Sequence, residues 1–446
     1  MKKIFVIVLL MTAGISAQTQ KLTLKESLEI GMKNSKDLKI SQSKLAGASA
    51  QVTAANSQLL PQIGLSASYM RLSNIPPFEV TLPFSPKPIQ ISPVILDNYS
   101  VKLSLQQPLF TGFRLWSVKN AAESNYEATN SDYQKDMNEA AFKIENAFWN
   151  YYKAQQYDKL LDENLNQIKQ HLDDTKNFMQ NGLATKNDFL KLEVQHSSVK
   201  LQKIEADNQL DIARMFFNQT IGLLLDSQTT IDAGDLSANV VDLKIEDLLN
   251  EAKNNRNELK SLDYRVNASA ANLRAAQSAW FPSIFLVGDY YYSKPNQRFL
   301  PAVNEFKDTW DLGVTLSWSV WNWGYTSSQT SIAEQNKIQA ETALSQLKDA
   351  VEIEVQQNYL TYKRSFDKVN VAKLSVDQAE ENYRITQEKY NSQVASSTDL
   401  IDAEAALLQA KTSYSNALVD YEIAKVRLDK SVGRRIYGKQ EIEVRR

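Results

Sequence analysis

The chain has 446 residues, a formal net charge of −2 and a pI near 6.0. No basic domain or Lys/Arg run stands out, which argues against nucleic acid as a partner, and a hydrophobic content of 43% with 23% charged residues excludes a chain disordered by composition. Cysteine is absent, which excludes disulfides, thiolate metal sites, a Cys nucleophile and a lipidated N-terminal Cys.

Residues 1–17 read as a secretory leader. Lys2 and Lys3 form a positive start, Ile4 to Met11 an apolar stretch, and Thr12 to Ala17 a small-residue approach to cleavage after Ala17. The apolar run is far short of the ~20 residues that a spanning helix needs, and no later segment reaches that length. A helix is expected over 22–60, then a strand over 62–71 in which Ile63, Leu65, Ala67 and Tyr69 alternate with polar residues. A proline-rich loop follows (Pro76, Pro77, Pro83, Pro86, Pro88, Pro93), which disfavours helix and sheet interior alike. Next comes a strand over 99–110, carrying Val101, Leu103 and Leu105 on one side. Long helices are predicted over 113–181 and 186–222, parted by Gly182-Leu-Ala-Thr185.

The chain then repeats itself. An offset of 221 residues carries Pro61 to Pro282, Leu38 to Leu259 and Tyr69 to Tyr290, and an offset of 211 carries Tyr151 to Tyr362, Ala184 to Ala395 and Asp188 to Asp399. The offset changes inside the proline-rich loop. Residues 18–234 thus form a first structural repeat and 235–433 a second, with a tail over 434–446. The second repeat is predicted as a helix over 243–281, strands over 283–293 and 309–321, and helices over 325–392 and 397–432. From Leu344 through Leu347, Val351, Val355, Tyr362 and Phe366 to Tyr383 the apolar residues recur every three or four positions, close to the ~3.5 of a coiled coil. Neither Gly nor Pro interrupts 325–418, so each repeat makes a long helical hairpin with a tight tip. Thr185, and Ser397 or Thr398, are the expected N-caps behind the tips. His171 and His196 fall in polar helical sequence and read as solvated.

Strands of about ten alternating residues suit a membrane β-barrel, although half-buried soluble strands alternate too. The aromatic residues favour the membrane. Trp149 is the one Trp deep inside a predicted helix, while Tyr69, Tyr99, Tyr290, Trp310, Trp318 and Trp321 gather at or beside strand ends, as interfacial aromatic girdles do. Four strands cannot close a barrel, and an open edge in lipid leaves backbone groups unpaired. Two copies would give a barrel too narrow for a pore, whereas three would give twelve strands and a lumen. The expected fold class is therefore mainly α with a small membrane β-sheet, built from two tandem repeats.

Gln107-Pro-Leu-Phe-Thr-Gly112, Ser319-Val-Trp-Asn-Trp-Gly324, the first tip Asn181 to Leu190 and the second tip Tyr390 to Glu404 together resemble the TolC-type outer membrane efflux protein family over the whole mature chain. The resemblance implies a homotrimer with a twelve-stranded β-barrel in outer-membrane lipid and a long periplasmic α-barrel. It also implies two partners, a periplasmic membrane-fusion adaptor and an inner-membrane transporter of the RND, ABC or MFS class. It implies that Asp399 and Asp402 form the periplasmic entrance constriction; the alternative for Asp399 is a helix cap. It further implies that Gly182, Leu183, Ala184, Thr185, Gln393, Val394, Ala395 and Ser396 are the adaptor-docking tips, where a tight turn needs the same small residues. Gln393 stands where the family pattern has glycine, and Ala395 where some relatives carry an arginine that helps lock the entrance. The function implied is the outer-membrane channel of an efflux or type I secretion system. The competing reading is an extracytoplasmic coiled-coil structural or adhesion protein, which would not need strands duplicated with the helices. No phosphate loop, nucleophile elbow or paired-His motif occurs, so neither an enzyme nor a cofactor is expected.

Overall fold

The computed structural model describes residues 20–84, 87–239, 243–435 and 437; the leader at 1–17 and most of the 434–446 tail lie outside them. The elements of the first half are β1 (Gln20–Thr23), α1 (Leu24–Asn34), α2 (Lys36–Ser57), β2 (Gln62–Arg71), β3 (Phe78–Val80), β4 (Ile89–Ser92), β5 (Asp97–Thr111), α3 (Arg114–Gln180), α4 (Lys186–Ile221) and β6 (Thr229–Asp232). Those of the second half are α5 (Ile245–Asn255), α6 (Asn257–Gln277), β7 (Ser283–Lys294), β8 (Lys307–Ser317), α7 (Tyr325–Asn391) and α8 (Ser397–Ser431). The protein is mostly helical, and among the described residues no helix is long and apolar enough to cross a membrane. Two compact units form, and each takes segments from both halves of the chain: Met1–Gln42, Asp132–Glu258 and Leu347–Arg446 in one, Ser43–Ser131 and Leu259–Gln346 in the other.

The second unit holds an antiparallel sheet in the order β2-β5-β7-β8. One rung runs Leu65, Leu103, Tyr290, Trp310 across all four strands. Every residue of β2 is exposed, as are Trp310, Leu312, Val314 and Leu316 of β8. β2 and β8 are the edges, each paired on one side only. The strand expected to run to residue 321 ends at Ser317, opposite Ser283. The physical reason is Pro282, whose missing N–H ends the ladder on the partner strand. The junctions from strand to long helix are tight. Gly112 and Phe113 are both left-handed (φ 59° and 67°), as are Trp323 and Gly324 (φ 56° and 83°). At Gly112 a Cβ would stand 2.5 Å from the Ser278 carbonyl oxygen, so only glycine fits.

In the first unit β1 pairs in parallel with β6, a two-stranded sheet that four-residue segments did not announce. Its main core joins Ile144, Phe148 and Trp149 of α3 to Phe217 and Ile221 of α4, Leu28 of α1 and Val419 of α8. Phe148 and Phe217 are fully enclosed, and truncating either to Ala should cost about 3–5 kcal/mol. Further along, Leu161, Ile168, Val199 and Ala206 form a second cluster.

Two helices read as continuous from sequence are broken. The 22–60 segment starts only at Leu24 and stops at Asn34; Ser35 is extended, and its Oγ accepts from the Leu38 N–H at 3.2 Å to start α2. The 243–281 segment breaks at Arg256 (φ −62°, ψ 119°). That guanidinium is held by Glu258, by Glu354 at 2.6 Å and by the Ser431 carbonyl at 3.0 Å. Tertiary partners outweigh helix propensity at both places.

Long helices also leave apolar residues without cover in the single chain. On α4 these are Leu190, Val194, Leu201, Ile204, Ile212 and Met215, and on α7 Ile353, Leu360, Val371 and Leu374. Their spacings of three, four, seven, eight and eleven are sums of the three- and four-residue steps that keep side chains on one helix face.

Candidate functional site

Both helical hairpins close through the same backbone device. In the first tip the Leu183 N–H donates to the Phe178 carbonyl at 2.8 Å and the Gly182 N–H to Met179 at 3.1 Å. In the second, Val394 donates to Lys389 at 2.8 Å and Gln393 to Tyr390 at 2.9 Å. This paired bonding needs a left-handed residue just past the helix, usually glycine. Gly182 supplies it at φ 73°, and Gln393 adopts it at φ 63°. The departure from glycine at Gln393 therefore leaves the turn intact. Leu183 and Val394 project from the tips, exposed to 57% and 76%.

Each new helix then begins with a capping box. Thr185 caps α4: its Oγ accepts from the Asp188 N–H, and the Asp188 carboxylate accepts from the Thr185 Oγ at 2.6 Å. Ser396 caps α8 in the same way with Asp399, whose carboxylate accepts from the Ser396 N–H at 2.9 Å and Oγ at 2.7 Å. The cap is thus Ser396, not Ser397 or Thr398; of three successive hydroxyl residues it is the one standing three positions ahead of an acid, as the box requires. These bonds hold the Asp188 and Asp399 carboxyls below the usual carboxylate range. The local fold makes Asp399 a capping residue. Asp402 is exposed one turn further along α8.

The two tips are also tied to each other. Ser397, buried, donates to the second oxygen of Asp188 at 2.8 Å, and the Lys191 ammonium donates to the Thr398 hydroxyl at 2.9 Å. Behind them lies a ladder of polar pairs that the sequence reading missed. Asn164 donates to Glu404 at 3.1 Å, His171 is hydrogen-bonded to Tyr383 at 3.1 Å, and Thr175 to Tyr390 at 2.5 Å. His171 is therefore not solvated; it is 3% exposed, and burial lowers its pKa. The available signal was spacing, since Asn164 and His171, like Tyr383 and Tyr390, stand seven apart on their helices.

The interfacial aromatics occupy distinct rungs of the sheet. Tyr69 and Tyr99 are directly opposed, with ring centroids 4.9 Å apart. Tyr290 and Trp310 share the rung that also holds Leu103, four residues in from Tyr99. Trp318 and Trp321 lie past the other end of β8, and the Trp318 indole N–H donates to the Trp280 carbonyl at 3.2 Å.

The architecture has close relatives among solved structures. The Campylobacter jejuni CmeC outer membrane channel superposes with a TM-score of 0.78 at 17% sequence identity, covering 95% of this chain and 88% of that one. In sequence, outer membrane protein TolC of Vibrio cholerae is 22% identical over 384 residues, 86% of this chain and 84% of that protein. TolC of Escherichia coli (strain K12) is 22% identical over 445 residues, covering 97% and 87%. The family model described as outer membrane efflux protein matches residues 30–222 and 248–434, nearly the whole of both halves. With the four-stranded sheet, the hairpins and the tips all falling inside that match, the chain belongs to the outer membrane efflux protein family.

Proposed function

We propose that three copies of this chain form the outer-membrane channel of a tripartite efflux or type I secretion system, passively conducting substrate across periplasm and outer membrane. The observation that carries this is the four-stranded sheet with exposed apolar side chains and an unpaired edge on each side. In lipid such edges must pair, and three sheets joined β8 to β2 make twelve strands. From Tyr99 to Phe110, β5 rises roughly 35 Å, or roughly 25 Å when tilted by about 45°, the height of the apolar band of such barrels.

The helices support the same assembly. Within the chain, Ile423 and Val426 of α8 pack on the cluster containing Phe142 and Trp149 of α3. The 211-residue offset carries that set onto Ile212 and Met215 of α4 and onto Ile353 and Leu360 of α7, all four exposed. The contact that α8 makes with α3 inside one chain is thus available to α4 and α7 between chains. That is a head-to-tail interface, which closes into a ring. We read the two halves as repeats of one structural unit on the same ground.

At the tips, Asp399 and Asp402 stand three apart on α8, so in a ring of three they form an acidic constriction that favours cations. Leu183 and Val394 offer small apolar contacts to a periplasmic adaptor, which links the channel to an inner-membrane transporter. The chain lacks cysteine, which makes the test clean. The double variant Ile212→Cys, Leu360→Cys should crosslink under oxidation into a ladder that stops at three chains, and the purified trimer should conduct in planar bilayers. A species that conducts as a monomer, or a ladder that ends at two, would refute the assembly.

A further inference from the structure

Glu404 sits on α8 two turns from the tip, where no charge is needed to make a helix. It is 2% exposed. One carboxyl oxygen accepts from Asn164 of α3 and the other has no hydrogen-bond partner. The residues one turn to either side are apolar and buried on both helices: Leu400 and Leu407 flank Glu404 on α8, and Leu161 and Ile168 flank Asn164 on α3. The polar groups facing it are neutral. From α3 it is Asn164; from α7 it is Tyr383, whose phenol burial holds protonated and which is hydrogen-bonded in turn to His171, whose imidazole burial keeps uncharged. From α4 come Gln195 and Gln202, which line the same groove as Asn164; Lys153, a cation that also lines it, is paired with Asp420 at 3.4 Å. The nearest cation along α8, Lys411, is engaged by Glu380.

A carboxylate in such a place is sustainable only as the acid. Protonation removes the buried charge while the carbonyl oxygen still accepts from Asn164. We propose that the Asn164–Glu404 layer, together with the His171–Tyr383 pair, is a proton-controlled joint: the protonated acid keeps α8 seated on α3 and α7 beside the tip, and ionisation unseats that end of α8.

The direction follows from linkage. Seated, the group is pushed up to about 8 by burial; unseated and wet, it ionises in the ordinary range near 4.5. As pH rises between those limits, the unseated form loses a proton that the seated form retains, so opening becomes about tenfold more favourable per pH unit. His171 acts in the opposite sense at the acid end, because opening lets it take up a proton that burial denies it. The joint is therefore tightest at mildly acidic pH and loosens as the surroundings become neutral and alkaline. A consequence for conduction would rest on the channel reading, but the joint itself does not, and the measurement below separates the two.

The experiment is hydrogen exchange on the full-length protein in detergent, following backbone amides of 400–410 between about pH 5 and about pH 9, corrected for intrinsic exchange. Between about pH 6.5 and about pH 8, above the range where His171 takes up a proton, the wild type should lose about tenfold protection per pH unit, while Glu404→Gln, which keeps the bond to Asn164 and cannot ionise, should hold a flat profile over that range. Equal slopes in the two proteins would overturn the proposal. Should Glu404→Gln fail to assemble, the infrared carbonyl stretch of a protonated carboxylic acid, followed against pH in the wild type, decides. Persistence of that band at neutral pH supports the joint, and an acid fully ionised by about pH 6 refutes it.

Discussion

The two hairpin tips reach one geometry from different residues. The first uses glycine at the left-handed position and threonine as cap; the second uses glutamine and serine. They differ in what their acids do besides capping. Asp188 gives its second oxygen to Ser397 of the other hairpin, whereas Asp399 bonds Ser396 of its own. The backbone turn is thus tolerant of sequence, and the tie between hairpins is carried by one tip.

Four experiments bear on that comparison. The largest effect is expected from a charge on the proposed docking surface. Ala184→Lys or Ala395→Glu should weaken adaptor binding by about 3 kcal/mol, a hundredfold in affinity, with trimer assembly intact; a pull-down with the adaptor and an export assay read it, and loss at one tip alone would show that the tips divide the docking. Second, Asp188→Ala should destabilise the tip region by about 2 kcal/mol, one cap plus one hydrogen bond, and Asp399→Ala by about 1 kcal/mol. Equal losses in local hydrogen exchange would mean that the Ser397 tie contributes nothing. Third, both acids titrate below the usual carboxylate range when folded. Each cap's contribution is therefore present above the ordinary carboxylate range and is lost as pH falls through the lowered value. Exchange at both tips should quicken in acid, the opposite of the trend expected at Glu404. Smallest is the turn itself. Gly182→Ala should cost about 1 kcal/mol, all of it from φ, since a Cβ there meets nothing within 4 Å; Gln393→Gly should stabilise by about 0.5–1 kcal/mol in thermal unfolding.

Much of the architecture was legible because it is periodic. The three-four spacing of apolar residues marks α3 and α7, the alternation around Leu65 and Val314 marks the strands, and repetition at a fixed offset aligns them. What escaped is what one residue decides through a distant partner. Arg256 interrupts a helix because Glu354 and Ser431 hold it, contacts about 100 and 175 positions away that no local pattern announces. His171 and Glu404 look like surface residues in sequence, because polarity is the usual sign of solvent; their burial depends on Tyr383 and Asn164. At the tips, Gly182, Thr185 and Asp188 were readable as turn and cap, while the Asp188–Ser397 bond was not, since nothing in the sequence brings those two helices together.

The unpaired edges of β2 and β8 have a consequence for mixed populations. In the proposed ring of three each chain offers one edge and receives another, which leaves three junctions and no spare. A variant that spoils a single edge still joins on its sound side and then leaves the ring unfinished. When altered and normal chains are made together, finished channels should fall as the cube of the normal fraction, so that equal expression leaves about one-eighth of them. One defective allele would thus be felt as dominant, through arithmetic and not through any damage to its neighbours' fold.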